Sequence, residues 1–384
     1  MYTRSPRPAR PRSTLSRRLI TGVGVFTVTA LVVGTAGTAH LAATLNTVKR
    51  ADTGSALTPR TSSMDTENYL LVGSDSRAGA DPSSPDYGSM GDEADAPGRR
   101  SDTIMVLRFN PKNGEAAILS IPRDLWIPIH GTGKSNRINS AYTKGNAVLI
   151  DTVEQDLGIP INHFIDVDFE GFKNLVDALG GVTIFFDLPT RDKNTGLRIT
   201  QPGCVTLNGI NALRYVRSRH FQQEINGHWR EDKSSDFGRM SRQQDFIRKA
   251  ASKAFQKVAA NPLAVPQLLK ATLSAVHPDA SLNLQSMADR LSTLGRADIV
   301  TYTLPSTPDH ISGAGDILRM DPADALPLLA FFGGKLPPSP PSTTAPPTTA
   351  KAAAAPPAAA TTPSGVPPTS APMGVVPDET AKCG

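Results

Sequence analysis

Residues 211–244, NALRYVRSRHFQQEINGHWREDKSSDFGRMSRQQ, bring Arg214, Arg217, Arg219, Arg230, Arg239 and Arg242 into one short stretch. Residues 212–219 alternate apolar and polar, which predicts a strand. On a strand, residues two apart face the same way, so Arg217 and Arg219 are expected to project together. Gly and charged residues follow and read as a loop. Asp236 is then expected as the N-cap of a helix running to about residue 258. Met240, Ile247, Ala251, Ala254 and Val258 fall on one apolar face of that helix. Arg239, Arg242 and Gln243 share a neighbouring face in its first turns. The macrodipole already favours anions at a helix start. Arginines there, opposite a strand with two more, suit a highly charged anion such as a pyrophosphate. A solvated arginine-rich surface is the competing reading of the same residues.

The chain has 384 residues, room for one large domain or two small ones plus tails. Its formal net charge is +5. Six arginines (Arg4, Arg7, Arg10, Arg12, Arg17 and Arg18) lie in residues 1–18 with no acidic partner, and subtracting them from +5 leaves −1. The high pI therefore belongs to a basic tail, and the remainder carries no charge signal for nucleic acid. Residues 19–39 contain no charge and are long enough to cross a bilayer as a single helix. Arginines before the run predict a cytoplasmic N-terminus with the remainder outside the cell membrane. A cleaved signal peptide is the alternative. The length of the run and the lack of a clean cleavage site favour an uncleaved anchor.

Residues 40–64 are polar and read as a linker, with a folded domain expected over 65–335. Residues 69–72 predict a buried strand ending in Gly73-Ser74-Asp75. Residues 103–109 and 116–121 predict two more strands, joined by the strong turn signal Asn110-Pro111-Lys112-Asn113-Gly114. If these three strands are neighbours, Asp75, Asp102 and Arg123 meet at one sheet edge, which is how α/β proteins build sites. Residues 125–145 read as loop. Helix, strand, helix and strand then alternate over 147–157, 163–167, 169–179 and 182–186, which argues for an α/β layered sheet. After Asn261-Pro262 a further helical stretch and a strand over 299–304 are expected. Residues 336–384 are dominated by Pro, Ala, Thr and Ser, a composition without a core. Two cysteines, Cys204 and Cys383, show no metal-ligand spacing. An even count outside the cell, with a tail long enough to fold back, leads us to expect a disulfide between them.

Seven segments in order then carry a family likeness. They are Gly-Ser-Asp-Ser-Arg (73–77), Arg-Ser-Asp-Thr (100–103), Ser-Ile-Pro-Arg-Asp (120–124), Ile-Asn-Ser-Ala-Tyr (138–142), Leu-Gly-Gly-Val (179–182), Leu-Asn-Gly-x-x-Ala-Leu-x-Tyr-Val-Arg-Ser-Arg (207–219) and Asp-Phe-Gly-Arg-x-x-Arg-Gln-Gln (236–244). Together they resemble the LytR–CpsA–Psr family across about residues 66–333. The resemblance implies a three-layer α/β/α domain with a central mixed sheet and an apolar pocket for a polyprenyl chain. It implies transfer of a glycopolymer from an undecaprenyl-pyrophosphate carrier to a peptidoglycan hydroxyl, forming a phosphodiester. By motif, Asp75 and Asp102 match magnesium ligands. Arg100, Arg123, Arg217 and Arg219 match catalytic positions, and Arg137, Arg239, Arg242 and Gln243 are assigned to substrate. Arg137 stands where the family commonly has Lys, so a planar fork replaces a point charge. Two other functions fit less of the sequence. A non-catalytic polyprenyl-phosphate-binding or adaptor protein needs the pocket but not every charged residue. A membrane-tethered transcription regulator conflicts with an external domain that has no net positive charge.

Overall fold

The structure is a computed structural model that describes residues 49–61, 64–75, 101–260, 276–283, 299–333 and Cys383. The expected basic tail, membrane anchor, helical stretch after Pro262 and Pro-rich tail up to residue 382 lie outside these residues. Among the described residues no helix is long and apolar enough to cross a membrane.

Strands β1 (Glu67–Ser74), β2 (Ser101–Phe109) and β3 (Ala116–Ile121) form an antiparallel meander. Its second turn is closed by Gly114 N–H donating to Asn110 O at 2.9 Å. The stretch expected as loop instead holds the hairpin of β4 (Trp126–Ile129) and β5 (Lys134–Arg137), then a short helix α1 (Asn139–Thr143). Helix α2 (Asn146–Asp156), strand β6 (His163–Val167), helix α3 (Phe169–Leu179) and strand β7 (Val182–Phe186) follow. The Asp168 side chain caps α3 by accepting from Gly171 N at 2.7 Å. Gly180 ends α3 in the left-handed region, at φ 82°, where glycine carries no Cβ penalty. A Cβ on Gly181 would lie 2.7 Å from Leu207 O, so only glycine fits there.

Strands β8 (Thr190–Asp192), β9 (Leu197–Ile199) and β10 (Gly203–Leu207) lead to helix α4 (Gly209–Arg217). The hairpin β11 (Gln222–Ile225) and β12 (His228–Glu231) separates α4 from the long helix α5 (Ser235–Ala260). Strands β13 (Val276–Pro278), β14 (Val300–Thr303), β15 (Ser306–Ile311) and β16 (Gly315–Met320) precede helix α6 (Pro322–Phe331).

The central sheet has the order β13-β6-β1-β2-β3-β14. Its pairs β1–β6 and β3–β14 are parallel and the others antiparallel. The fold is therefore mixed α/β about a mixed sheet. One apolar core lies between this sheet and α1, α2 and α6, with Leu70, Ile104, Leu119, Leu149 and Phe332 among its buried members. Each such side chain contributes about 1.5–3 kcal/mol by leaving water. A second core joins α3, α4 and α5 to β7, β9 and β10 through Val176, Ile184, Leu207, Leu213 and Phe246. Gln244 of α5 donates to Ser120 Oγ at 2.8 Å and to Tyr302 O at 2.9 Å, fastening that helix to β3 and β14.

Part of the stretch expected as linker is packed on the domain. Ala51 is 8% exposed, and its N–H donates to Pro278 O at 2.8 Å. Thr58 N–H donates to Ile161 O at 2.8 Å. Cys204 of β10 and Cys383 form a disulfide with Cα atoms 5.6 Å apart, as the cysteine count led us to expect.

Candidate active site

The neighbouring strands β1, β2 and β3 bring the residues after β1, at the start of β2 and after β3 to one edge. Ser74 pairs with Ser101 after a register shift that leaves Asp102 unpaired, so Asp75 and Asp102 stand at adjacent strand ends. Arg123 follows β3, and its Nη1 lies 2.5 Å from Asp102 Oδ1. Arg239, in the second turn of α5, is only 2% exposed. Its Nη2 donates to Asp102 O at 3.2 Å and to Asp236 Oδ2 at 3.0 Å, and its Nη1 lies 3.8 Å from Asp102 Oδ1. Arg219 reaches the same carboxylate from the other side, Nε to Asp236 Oδ1 at 3.1 Å.

Arg217 and Arg219 arrive there by a different route from the one expected. Residues 209–217 form α4, not a strand. Asn208 caps it by accepting from Asn211 N at 3.0 Å, and Ala212, Leu213 and Val216 sit on its buried face. That i, i+1, i+4 spacing from Ala212 fits a helix, and it outweighs the alternation of charged residues. Arg217 is the last residue of the helix, with its guanidinium 4.4 Å from the centre of the Phe169 ring. The chain then turns extended at Ser218, ψ 123°, and presents Arg219.

Four guanidinium groups, those of Arg123, Arg217, Arg219 and Arg239, thus share this region with the carboxylates of Asp102 and Asp236. Burial pushes the Asp102 carboxyl up, but Arg239, Arg123 and Arg217 outweigh it and hold it below the usual carboxylate range. Burial lowers the Arg239 guanidinium, with Arg123 and Arg219 adding to that against the pull of Asp236 and Asp102. The buried Nε–H groups of Arg123 and Arg239 have no hydrogen-bond acceptor among the described residues. The Nε–H groups of Arg214, Arg242 and Arg248 are orphaned in the same way. Beneath the cluster a gap is lined by Met105, Ser120, Ile121 and Met240 beside Asp102 and Arg239, and it is too narrow to admit water.

Other expected site residues make contacts that reach beyond this cluster. Arg242 is 6% exposed and turns inward. Its Nη2 donates to Ser218 O at 2.6 Å, and its guanidinium lies 4.5 Å from the centre of the Phe221 ring. Gln243 donates to Val216 O at 3.1 Å. Both brace the segment that carries Arg217 and Arg219, and Gln243 also lines the gap beside Asp102, Arg123 and Arg239. Arg137 donates to Ala314 O at 2.6 Å and Asp316 O at 2.9 Å, on the turn and strand of the β15–β16 hairpin. Among the described residues it meets the cluster through Asp124, which lies 3.6 Å from Arg137 Nε and 3.4 Å from Arg123 Nε. Arg100 lies outside the described residues. Asp236 is not the N-cap, because α5 begins at Ser235. It is a central carboxylate of the cluster, and its place three residues before Arg239 on a helix was the sequence signal for that pair.

No three His, Cys, Asp or Glu side chains form a metal cage among the described residues. Magnesium is commonly held by only one or two carboxylates plus phosphate oxygens and waters. Arg123 and Arg239 both pair with the Asp102 carboxylate through Oδ1. With Asp75 at the adjacent strand end, the donor set fits such an ion.

Comparison with known proteins places this architecture. The chain is 36% identical over 211 residues to polyisoprenyl-teichoic acid–peptidoglycan teichoic acid transferase TagU of Bacillus cereus, covering 53% of this chain and 59% of the relative. It is 34% identical over 260 residues to a probable cell wall biosynthesis protein, LcpB, of Corynebacterium glutamicum, covering 67% of this chain and 59% of the relative. The chain therefore spans about six-tenths of the length of these curated relatives. A LytR-Csp2A-Psr enzyme from Actinomyces oris superposes with a TM-score of 0.59 at 25% identity, over 75% of this chain and 97% of that one. TagV of B. subtilis, at 23% identity and a TM-score of 0.55, shares the fold over 70% of this chain and 96% of its own. The LytR_cpsA_psr family model matches residues 31–325, and the chain belongs to that family.

Proposed function

We propose that the protein transfers a glycopolymer from an undecaprenyl-pyrophosphate carrier to a peptidoglycan hydroxyl. The observation that carries this reading is the convergence of the guanidinium groups of Arg123, Arg217, Arg219 and Arg239 on the carboxylates of Asp102 and Asp236 at the β2–β3 edge. It is supported by the transferase name of the TagU relatives. In the reaction the acceptor oxygen attacks the phosphorus that bears the glycopolymer. The bond from that phosphorus to the bridging oxygen breaks, and undecaprenyl phosphate leaves. The product is a phosphodiester, and the hydroxyl proton passes to a carboxylate at the site. We assign that role to one of the aspartates here, Asp124 between Arg123 and Arg137 among them.

Arg123, Arg239 and Arg219 hold the pyrophosphate oxygens by charge-assisted hydrogen bonds, and Arg217 adds positive field. Asp75 and Asp102 would hold a magnesium ion, which supplies Lewis-acid stabilisation of the phosphoryl charge. The prenyl chain would enter between β2 and α5 only once the gap there, too narrow for water, opens. Met105 and Met240 line it, and their unbranched side chains re-pack readily. The domain is read as a three-layer α/β/α unit outside the cell membrane, on a single anchor over residues 19–39 with a cytoplasmic N-terminus.

Incubating the purified protein with a lipid-linked glycopolymer and isolated wall tests this directly. The expected result is polymer bound to wall together with released undecaprenyl phosphate. Lipid binding without either product would identify a binding protein instead.

A further inference from the structure

Asp192, at the end of β8, is 0% exposed. Its Oδ1 accepts from Asn194 N at 2.8 Å and Thr195 N at 3.2 Å, closing its own turn. Its Oδ2 accepts three more bonds from across the fold. These come from Ser218 Oγ at 2.6 Å, Arg219 N at 3.1 Å and His220 N at 3.0 Å. One carboxylate therefore uses all of its roughly four lone-pair sites, and most of that capacity goes to residues 218–220. The same segment is gripped from the opposite side, where Ser218 O accepts from Arg242. A loop that leaves a helix in this way would otherwise sample many backbone states.

We propose that Asp192 is a positioning residue for the anion site. It touches no reacting atom, and it fixes the backbone of residues 218–220 so that Arg219 meets Asp236 and any bound pyrophosphate at a set angle. This rests on the pyrophosphate reading above. Burial pushes the Asp192 carboxyl up, and the bonds from Ser218, Thr195, Asn194 and His220 outweigh it and hold it below the usual range. The group is thus kept as the anion that accepts all five donors.

The test uses the full chain with Asp192→Asn, Ser218→Ala, Arg219→Ala and the two doubles with Arg219→Ala. Amide hydrogen exchange at Arg219 and His220 is measured beside affinity for geranylgeranyl pyrophosphate with magnesium. Asp192→Asn should speed exchange at those two amides at least tenfold while α4 and α5 stay protected. It should weaken the probe about tenfold alone, and add nothing once Arg219 is Ala. Ser218→Ala removes one bond of the five, so it keeps the fold and should move both readings the same way by less. If Asp192→Asn does not fold, Ser218→Ala and its double carry the test. Unchanged exchange, or losses that add fully in the doubles, overturns the positioning role. Faster exchange in a protein whose wild type ignores the probe overturns the pyrophosphate reading instead, so the two failures are distinct.

Discussion

Nη1 of Arg123 and Oδ1 of Asp102 stand 2.5 Å apart at the edge where β2 begins and β3 ends. Only the antiparallel pairing of these strands brings the two residues together. The same pairing brings Asp75 to the neighbouring strand end, and the magnesium site proposed there predicts metal dependence. Asp75→Asn and Asp102→Asn each keep size and remove charge. We expect both to abolish magnesium-dependent tightening of a polyprenyl pyrophosphate, measured by titration calorimetry, and magnesium-dependent transfer. Unfolding without metal should move by a few degrees at most, because Arg123 keeps Asp124 and Asp236 within reach. Normal magnesium dependence in both variants would remove the assignment.

The sheet edge was legible because three short strands, one tight turn and two aspartates at strand ends have a single economical arrangement. The alternation of helices and strands over residues 147–186 was legible for the same reason of period and length. Residues 212–219 were misread because charged residues on the exposed side of α4 imitate a two-residue period, while the Asn208 cap says helix. Arg242 shows a different limit. Nothing local separates an arginine that faces an anion from one that braces a carbonyl, and only the packing of α5 against residues 216–221 decides it.

Acid should loosen the contact between residues 50–51 and the sheet. Asp279 is fully buried and accepts from Phe164 N at 3.0 Å and Leu282 N at 2.9 Å, while its backbone O receives Arg50. Burial pushes its carboxyl up, and bonds from His163, Ser281 and Phe164 outweigh it, so its folded value is depressed. A depressed carboxylate adds stability that is present above its unfolded value of about 3.9 and is lost as pH falls through the folded value. Asp279→Asn should therefore lower stability at pH 7 and flatten its fall below about pH 4. A variant melting curve parallel to wild type across that acid range would refute this.

Reducing the Cys204–Cys383 bond should matter less than its span suggests. The two cysteines are 179 residues apart. The domain already fixes the chain as far as Gly333. If the coreless composition after that point leaves it unfolded, the native state closes a loop of about 50 residues and the unfolded state one about 180 long. Each doubling of loop length costs about 0.6 kcal/mol, so the net stabilisation is about 1 kcal/mol. Chemical denaturation with and without a reductant measures it. A loss of roughly 4 kcal/mol or more, as for a bond that closes a long loop only in the unfolded state, would show that residues 334–382 are ordered against the domain.

The proposed topology rests on the arginines before residue 19 and the uncharged run after it. A reporter active only outside the membrane, fused after Phe332, should be active, and a cytoplasm-only reporter should be silent there. The reverse pattern would remove both the anchor and the wall function.

Arg219 offers the cleanest test of the anion site. Its side chain is 43% exposed and pairs with Asp236 at 3.1 Å, so its loss should cost little stability. In contact with pyrophosphate it would make charge-assisted bonds worth about 1.5–3 kcal/mol. Arg219→Ala should then weaken a polyprenyl pyrophosphate about ten- to a hundredfold. Arg217→Ala should act similarly, with a small extra loss of stability of about 0.5–1 kcal/mol from its place over Phe169. Lys at position 219 should rescue only in part, because it lacks the bidentate fork, whereas Lys at position 217 keeps the positive charge and should rescue more. Arg242→Ala gives the opposite signature. It strands the buried Ser218 carbonyl, so unfolding should come about 1–3 kcal/mol sooner, with binding lost through the collapsed segment. Affinity, transfer and unfolding measured together on these variants decide the matter. If Arg217→Ala and Arg219→Ala bind and transfer as wild type does, the arginines are ordinary surface charge. If they lose affinity in a protein that never turns over, the site binds without catalysing.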